Sequence, residues 1–132
     1  VCCILPTAPF VQPQDLESGA KKLREHDCNY AVAVTSFPYP IQRALRVTEN
    51  DRVEMIHPEM YEANSQDLEQ AWHDAGVFYW GKTEAWQKRA RLFSEDSVAV
   101  FIPRYKVQDI DTEEDWEIAE LMFKALHTNT VK

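Results

Sequence analysis

A strand–helix–strand pattern at the start of the chain restricts its fold more than any other feature. Residues 1–5 are continuously apolar, as expected of a buried parallel strand. Residues 13–26 carry apolar side chains at helical spacing, and residues 30–37 form a second apolar run with high β propensity. Two strands joined by one helix form a βαβ unit whose strands are parallel and whose crossover is right-handed. We therefore predict an α/β fold.

The rest of the chain continues this alternation, with one interruption. Residues 45–47 and 53–55 flank an Asn50-Asp51 turn and predict a β-hairpin. An aromatic strand over 76–81, a short helix over 83–91 and a strand over 97–102 follow. A last helix is expected to begin at Thr112, with Asp115 in a variant of the capping box. Its predicted buried stripe consists of Ile118, Leu121, Met122, Ala125 and Leu126.

Composition excludes several classes of partner. The formal net charge is -8 and the pI is about 4.9, which argues against nucleic acid and anionic membranes because no basic patch offsets the acid. No apolar run is long enough to span a membrane. The three cysteines, Cys2, Cys3 and Cys28, have no metal-ligand spacing and suggest no disulfide framework. These features predict a cytoplasmic protein.

The beginning of the chain is unusual for a natural domain. There is no initiator methionine, and the first residues already read as a central strand. We therefore expect residues 1–132 to be the C-terminal part of a single domain whose N-terminal portion is missing.

Two aspartates ahead of the last helix are the strongest candidates for chemistry. Asp109 and Asp111 are separated by one apolar residue, so in an extended segment both point to the same side. Such a pair suits Mg²⁺, which takes one or two carboxylates and completes its shell with water and substrate phosphates. The alternative is that both are solvated turn residues and Thr112 is an ordinary N-cap. The sequence contains no Gly-rich phosphate-binding loop, no Ser-His-Asp triad order and no zinc-binding motif.

Three segments together resemble a known family. They are ILPTAPF at 4–10, QAWHDAGVFYW at 70–80 and VQDIDTEEDW at 107–116. In this order they resemble the nonulosonate cytidylyltransferases, which are relatives of the CMP-sialic acid synthetases. The His-Asp-Ala-Gly and Phe-Tyr-Trp-Gly segments are most similar to the pseudaminic acid branch, which serves bacterial surface glycans and flagellin glycosylation.

The resemblance implies a fold and a reaction. The fold is a three-layer α/β sandwich with a mostly parallel sheet, of the nucleotide-diphospho-sugar transferase type, and a hairpin insertion at about 39–61 that forms a homodimer. CTP and a nine-carbon α-keto acid sugar give a CMP-sugar and pyrophosphate, with Mg²⁺ as cofactor. Asp109 and Asp111 match the metal-binding aspartates, and Thr7 lies in the loop that approaches the sugar and the α-phosphate. The other positions implied to bind substrate are Gln42, Gln70, His73, Tyr79 and Gln108.

Departures from the family pattern restrict which sugar is expected and what these residues can do alone. Leu5, His73 and Ala75 stand where sialic acid synthetases have glutamine, arginine and asparagine, which disfavours sialic acid as the sugar. The family's Arg-x-Gly-Ser-Lys nucleotide loop would lie before Val1, so we expect these residues alone to bind CTP weakly and to be inactive. Two alternatives stay open. One is another sugar nucleotidyltransferase, of the CMP-sialic acid or CMP-KDO type, and the other is a catalytically silent dimerising scaffold.

Overall fold

The computed structural model describes residues 1–128 and divides the chain into two compact units. The first unit consists of Val1–Thr35 and the chain from Asp74 onward, and the second is Ser36–His73. The strands are β1 (Cys2–Ile4), β2 (Tyr30–Ser36), β3 (Leu45–Val47), β4 (Val53–Met55), β5 (Trp72–Gly81) and β6 (Ser97–Phe101). The α-helices are α1 (Pro13–Glu25), α2 (Thr83–Gln87) and α3 (Glu113–Thr128). None of the described helices is long and apolar enough to cross a membrane.

The sheet is mixed, so the prediction of a mostly parallel sheet is not confirmed. Its strand order is β1-β5-β2-β6, in which β1 pairs antiparallel with β5 and β2 pairs parallel with β6. Lys82 N–H donates to Asn29 O at one end of the β5–β2 pair, and Phe37 N–H donates to Ala71 O at the other, so these strands are antiparallel. Thus β1 and β2 point the same way, as predicted, but β5 lies between them.

The first strand is more exposed than the sequence predicts. It is an edge strand of the described sheet, and Cys3 and Ile4 are exposed. The prediction that β1 is buried is therefore wrong, although its direction parallel to β2 agrees with the prediction. An apolar run reports that a strand can be buried, but it does not report which strand will cover it.

The core lies on both faces of β2, which is the reason for its unbroken apolar sequence. Ala31 and Ala33 face a cluster that includes Phe78 of β5 and Val100 of β6, whereas Tyr30 faces a second cluster beside α2. The first cluster is closed by Leu16 and Leu23 of α1. A Cβ at Gly19 would lie only 2.6 Å from the Trp80 ring, so this glycine permits the close approach of α1 to the sheet.

The two later helices differ from their predicted extents and packing. The helix α2 ends at Gln87 because Arg89 adopts a positive φ of 51°, and Ala90 N–H donates to Ala85 O in a Schellman-type ending. In α3, Ala119 is buried and Met122 and Leu126 are half-buried, but the predicted buried stripe is formed only in part: Leu121 is 66% exposed and Ile118 39%. Amphipathic spacing marks a face suited to burial without supplying the element that covers it.

The second unit contains the predicted hairpin. Leu45 pairs with Met55 and Val47 with Val53, and the turn between them places Asp51 at a φ of 55°. Thr48 N–H donates to Arg52 O at 2.8 Å, which closes the turn. Five branched aliphatic side chains of this unit are exposed, at 38 to 68%: Ile41, Leu45, Val47, Val53 and Ile56.

Candidate active site

The candidate site of the first unit lies at the carboxyl ends of β1 and β6, beside the part of β5 that follows Asp74. Leu5 N–H donates to Val77 O at 3.0 Å, so pairing with β5 continues one residue beyond β1. Ala8 N–H then donates to Leu5 O at 3.3 Å, which closes a turn containing Thr7. Ala8 is buried and Thr7 is half-buried, so the buried alanine anchors the turn that carries the threonine. The carboxyl ends of strands are the usual place for ligand crevices in α/β sheets.

A bend in β5 forms the centre of this site. Gly76 is buried and has a φ of +61°, which L-residues with side chains rarely adopt. The Asp74 carboxylate accepts the Gly76 N–H at 3.0 Å, as aspartate side chains do in Asx turns. The predicted strand therefore begins at Trp72 rather than at residue 76, and it contains a glycine bend.

Tyr79 is fixed by the same aspartate. Its hydroxyl donates to Asp74 Oδ2 at 2.5 Å. Partial burial raises the pKa of Tyr79 well above its usual value of 10, and the hydrogen bond to Asp74 together with the negative charges of Asp74 and Asp109 raises it further. The Tyr79 hydroxyl therefore stays protonated at any physiological pH.

The two candidate metal ligands differ in their surroundings. A Cβ at Gly76 would lie 2.9 Å from Asp109 Oδ2, so the Asp109 carboxylate rests on the open face of the glycine. Asp111 is exposed, and its backbone N–H donates to Asp115 Oδ2 at 3.2 Å. Ile110 between them lines an apolar cleft of about 210 Å³ with Phe10, Trp116 and other residues.

A capping box follows at the start of α3, as predicted. Asp115 N–H donates to Thr112 Oγ1 at 3.2 Å, and Thr112 N–H donates to Asp115 Oδ2 at 2.9 Å. The hydrogen bond from the Thr112 hydroxyl is the main reason that the pKa of Asp115 is lowered. Gln108 Nε2 donates both to Asp115 Oδ1 and to Asp109 O, at 3.1 Å each. Its amide nitrogen is thus engaged within the protein, and only its oxygen remains to contact a ligand.

The two aspartates supply oxygen ligands of the type that magnesium prefers. Asp109 and Asp111 supply hard carboxylate oxygens, and both are exposed. Within residues 1–128, no group of three or more His, Cys, Asp or Glu residues could hold a metal ion. A magnesium ion here would therefore depend on two carboxylates, with water and substrate phosphates completing its shell. The absence of a side chain at Gly76 leaves space for the Asp109 carboxylate.

The second unit contains the other predicted substrate residues. Gln42 Nε2 donates to Glu69 O at 3.1 Å, next to Gln70, whereas Gln42 Oε1 is buried without a hydrogen-bond partner among the described residues. Gln70 is exposed, and the ring centroids of His73 and Phe37 lie 4.6 Å apart. Phe37, Tyr39, Arg43 and other residues line a cleft of about 500 Å³. The substrate role of all three residues stays a prediction.

Comparison with known proteins identifies relatives of this chain. No protein-family model matches the chain. Two pseudaminic acid cytidylyltransferases of Campylobacter jejuni subsp. jejuni, from serotypes O:23/36 and O:2, are each 39% identical to it over 127 residues. The chain is a homologue of pseudaminic acid cytidylyltransferases. The match covers 96% of the chain, so the resemblance predicted from the three segments is confirmed.

The extent of the match differs between the chain and its relatives. The chain spans 55% of the length of each Campylobacter jejuni cytidylyltransferase. A Helicobacter pylori protein is 28% identical over 109 residues, which is 83% of the chain and 21% of that relative. Its name joins pseudaminic acid cytidylyltransferase with UDP-2,4-diacetamido-2,4,6-trideoxy-beta-L-altropyranose hydrolase.

Sequence reasoning passed over two residues at the centre of the site. Asp74 and Gly76 belong to the segment that carries the resemblance, but the resemblance implies a role for neither. A signal was present, because a glycine inside a strand pattern indicates a bend, and an aspartate two residues earlier can accept its N–H. The structure shows both features.

Proposed function

We propose that this chain forms the sugar-binding and metal-binding part of a pseudaminic acid cytidylyltransferase. The observation that carries the proposal is the 39% identity to the two Campylobacter jejuni enzymes over 96% of the chain. The proposed reaction joins the anomeric oxygen of the nine-carbon keto sugar to the α-phosphorus of CTP. The bond between the α- and β-phosphates breaks, pyrophosphate leaves, and the sugar hydroxyl loses its proton.

The residues of the first unit have complementary roles in this proposal. Asp109 and Asp111 hold magnesium, and Thr7 faces the sugar and the α-phosphate. Tyr79 and the amide oxygen of Gln108 contact the sugar. The bound magnesium would balance the negative charge of the phosphates during transfer. Catalysis then depends on positioning and electrostatics rather than on a covalent intermediate.

The second unit supplies the remaining sugar contacts and the assembly. Gln42, Gln70 and His73 are proposed to contact substrate, and the exposed hairpin side chains are proposed to join two subunits about a two-fold axis. We also propose a cytoplasmic location, since all three cysteines are free and cytosolic proteins keep their thiols reduced. The product would supply bacterial surface glycans or flagellin, as the family resemblance implies.

The chain alone is proposed to be inactive. It spans 55% of the Campylobacter jejuni relatives, so the activity is assigned to full-length protein that contains this chain. The finer features of the fold, a three-layer sandwich of the nucleotide-diphospho-sugar transferase type, belong to the same proposal. The α/β character of the described residues is compatible with them.

One assay separates the candidate functions. Full-length protein is incubated with CTP, magnesium and pseudaminic acid, N-acetylneuraminic acid or KDO, and pyrophosphate release is followed together with the mass of the product. Release with pseudaminic acid alone supports the proposal. Preference for either other sugar would reassign the substrate, and no release with any sugar would favour the silent scaffold.

A further inference from the structure

Asp74 connects three parts of the candidate site. One of its carboxylate oxygens accepts the Tyr79 O–H at 2.5 Å, and the other accepts the Gly76 N–H at 3.0 Å. The open face of Gly76 in turn supports the carboxylate of Asp109. A single side chain therefore contacts the proposed sugar residue and shapes the glycine that supports the proposed metal ligand.

The contact between Asp74 and Tyr79 depends on the bend at Gly76. The two residues are five positions apart in β5. In an unbroken strand, residues at this separation lie about 16 Å apart and point to opposite faces of the sheet. The positive φ of Gly76 interrupts the alternation, and Asp74 itself stabilises that conformation through the Gly76 N–H.

The hydrogen bond determines how Tyr79 can contact a ligand. A tyrosine hydroxyl has one hydrogen, and here it is donated to Asp74. The oxygen keeps its lone pairs, so toward a ligand Tyr79 acts as a hydrogen-bond acceptor. The ligand groups that fit are a hydroxyl or an amide N–H. An asparagine at position 74 could donate to the Tyr79 oxygen and would turn the hydroxyl hydrogen away from its present direction.

We propose that Asp74 is a positioning residue of the sugar site. It holds Tyr79 as an acceptor for a donor group of the sugar, and it holds the bend at Gly76 beneath Asp109. This inference rests on the proposed cytidylyltransferase function. Asp74 acts through Tyr79 and Gly76, so its two effects can be separated by substitution.

Steady-state kinetics of full-length protein containing this chain test the inference. In Asp74→Asn, the side-chain oxygen can still accept the Gly76 N–H, but the Tyr79 hydroxyl is reoriented. We expect the KM for pseudaminic acid to rise about tenfold, with kcat and the KM for CTP within a factor of two of wild type. Asp74→Ala loses both contacts, so kcat should fall as well and the magnesium requirement should rise.

The comparison with Tyr79→Phe shows whether Asp74 acts through Tyr79. Adding Asp74→Asn to Tyr79→Phe should raise the sugar KM no further, because the shared hydrogen bond is already lost. Asp27→Asn, an exposed aspartate that pairs with Lys82 at 3.5 Å, is the matched control and should behave as wild type.

Several results would overturn the inference. The inference would be overturned if Asp74→Asn left the kinetics unchanged, or if its effect added to that of Tyr79→Phe. It would also be overturned if Asp74→Asn lowered kcat and raised the KM values for sugar and CTP by similar factors. None of these results would refute the proposed function. A wild-type protein that releases no pyrophosphate with pseudaminic acid would instead refute the proposed function, and this inference with it.

Discussion

At the scale of single residues, Asp109 and Asp111 differ in what surrounds them. The Asp109 carboxylate rests against the open face of Gly76, whereas Asp111 is exposed and lies just before the capping box of α3. A substitution at Asp109 therefore changes packing as well as charge. Asp111 gives the cleaner test of a metal role, because its side chain can change with little effect on its neighbours.

We expect Asp111→Asn in full-length protein to lower turnover by about a hundredfold or more. The substitution preserves shape but removes one carboxylate, and metal stabilisation of a transition state is worth several kcal/mol. The measurement is turnover across a magnesium titration, with Asp27→Asn as the control. Near-normal turnover at saturating magnesium would instead support the interpretation of Asp111 as a turn residue.

The raised pKa of Tyr79 predicts a change in stability at alkaline pH. Because the pKa of Tyr79 is higher in the folded protein than its usual value of 10, the unfolded chain loses this proton first as the pH rises. The stabilisation from protonated Tyr79 is therefore complete below about pH 10 and is lost above it.

Urea unfolding between pH 7 and 11 measures this effect. The difference in the free energy of unfolding between wild type and Tyr79→Phe should shrink above pH 10. A difference that stays constant over this range would contradict the raised pKa.

At the scale of elements, the sequence predicts those parts of the fold whose signals are local. The helix α1, the strand β2 and the hairpin follow from periodicity and turn residues, and each lies within a residue or two of its predicted range. The pairing of β1 with β5 brings together residues nearly 80 positions apart, for example Cys2 with Trp80, and no local pattern reports it. The exposed apolar face of α3 shows the same limit, because burial depends on a neighbour.

In the candidate site, too, the residues in local motifs could be predicted from the sequence, whereas those that depend on the folded backbone could not. The aspartate pair and Thr7 could be named from their motifs, but the role of Asp74 depends on a bend that brings residues five positions apart into contact. Gln108 could be named as well, although its bond to Asp115 could not be foreseen from spacing alone.

The exposed apolar side chains of the hairpin predict that the protein forms a homodimer. We expect full-length protein to form a homodimer that buries more than about 1,000 Å² in total through this surface. Val47→Arg combined with Val53→Arg should give a monomer, because these cross-strand partners are 68% and 65% exposed and would place like charges on a two-fold interface.

Light scattering after size-exclusion chromatography measures the mass of each species. Leu121→Arg is the matched control, since Leu121 is 66% exposed but belongs to α3, and it should leave the dimer intact. A wild-type monomer at high concentration, or a dimer that survives the double substitution, would contradict this prediction.

At the scale of the whole molecule, charge opposes the binding of a nucleotide. The chain carries a formal net charge of -8, and its three glycines, Gly19, Gly76 and Gly81, form no phosphate-binding loop. A triphosphate would therefore be repelled unless cations or other protein segments intervene.

We therefore expect residues 1–132 alone to release no pyrophosphate from CTP and to bind CTP far more weakly than a full-length relative does. Isothermal titration calorimetry with CTP and magnesium measures the affinity, and the Campylobacter jejuni serotype O:23/36 enzyme serves as the reference. Micromolar affinity of these residues alone would show that the nucleotide site lies within them.

The register of β1 against β5 also offers a way to observe ligand binding directly. Cys3 is exposed and pairs with Tyr79 across the sheet. Cys28 is buried, and burial raises the pKa of the half-buried Cys2 thiol, so Cys2 and Cys28 should react more slowly than Cys3. A maleimide fluorophore should therefore attach preferentially at Cys3. Its emission would then report sugar binding next to Tyr79 without any need for turnover, so that sugar affinity and catalysis could be measured in the same sample.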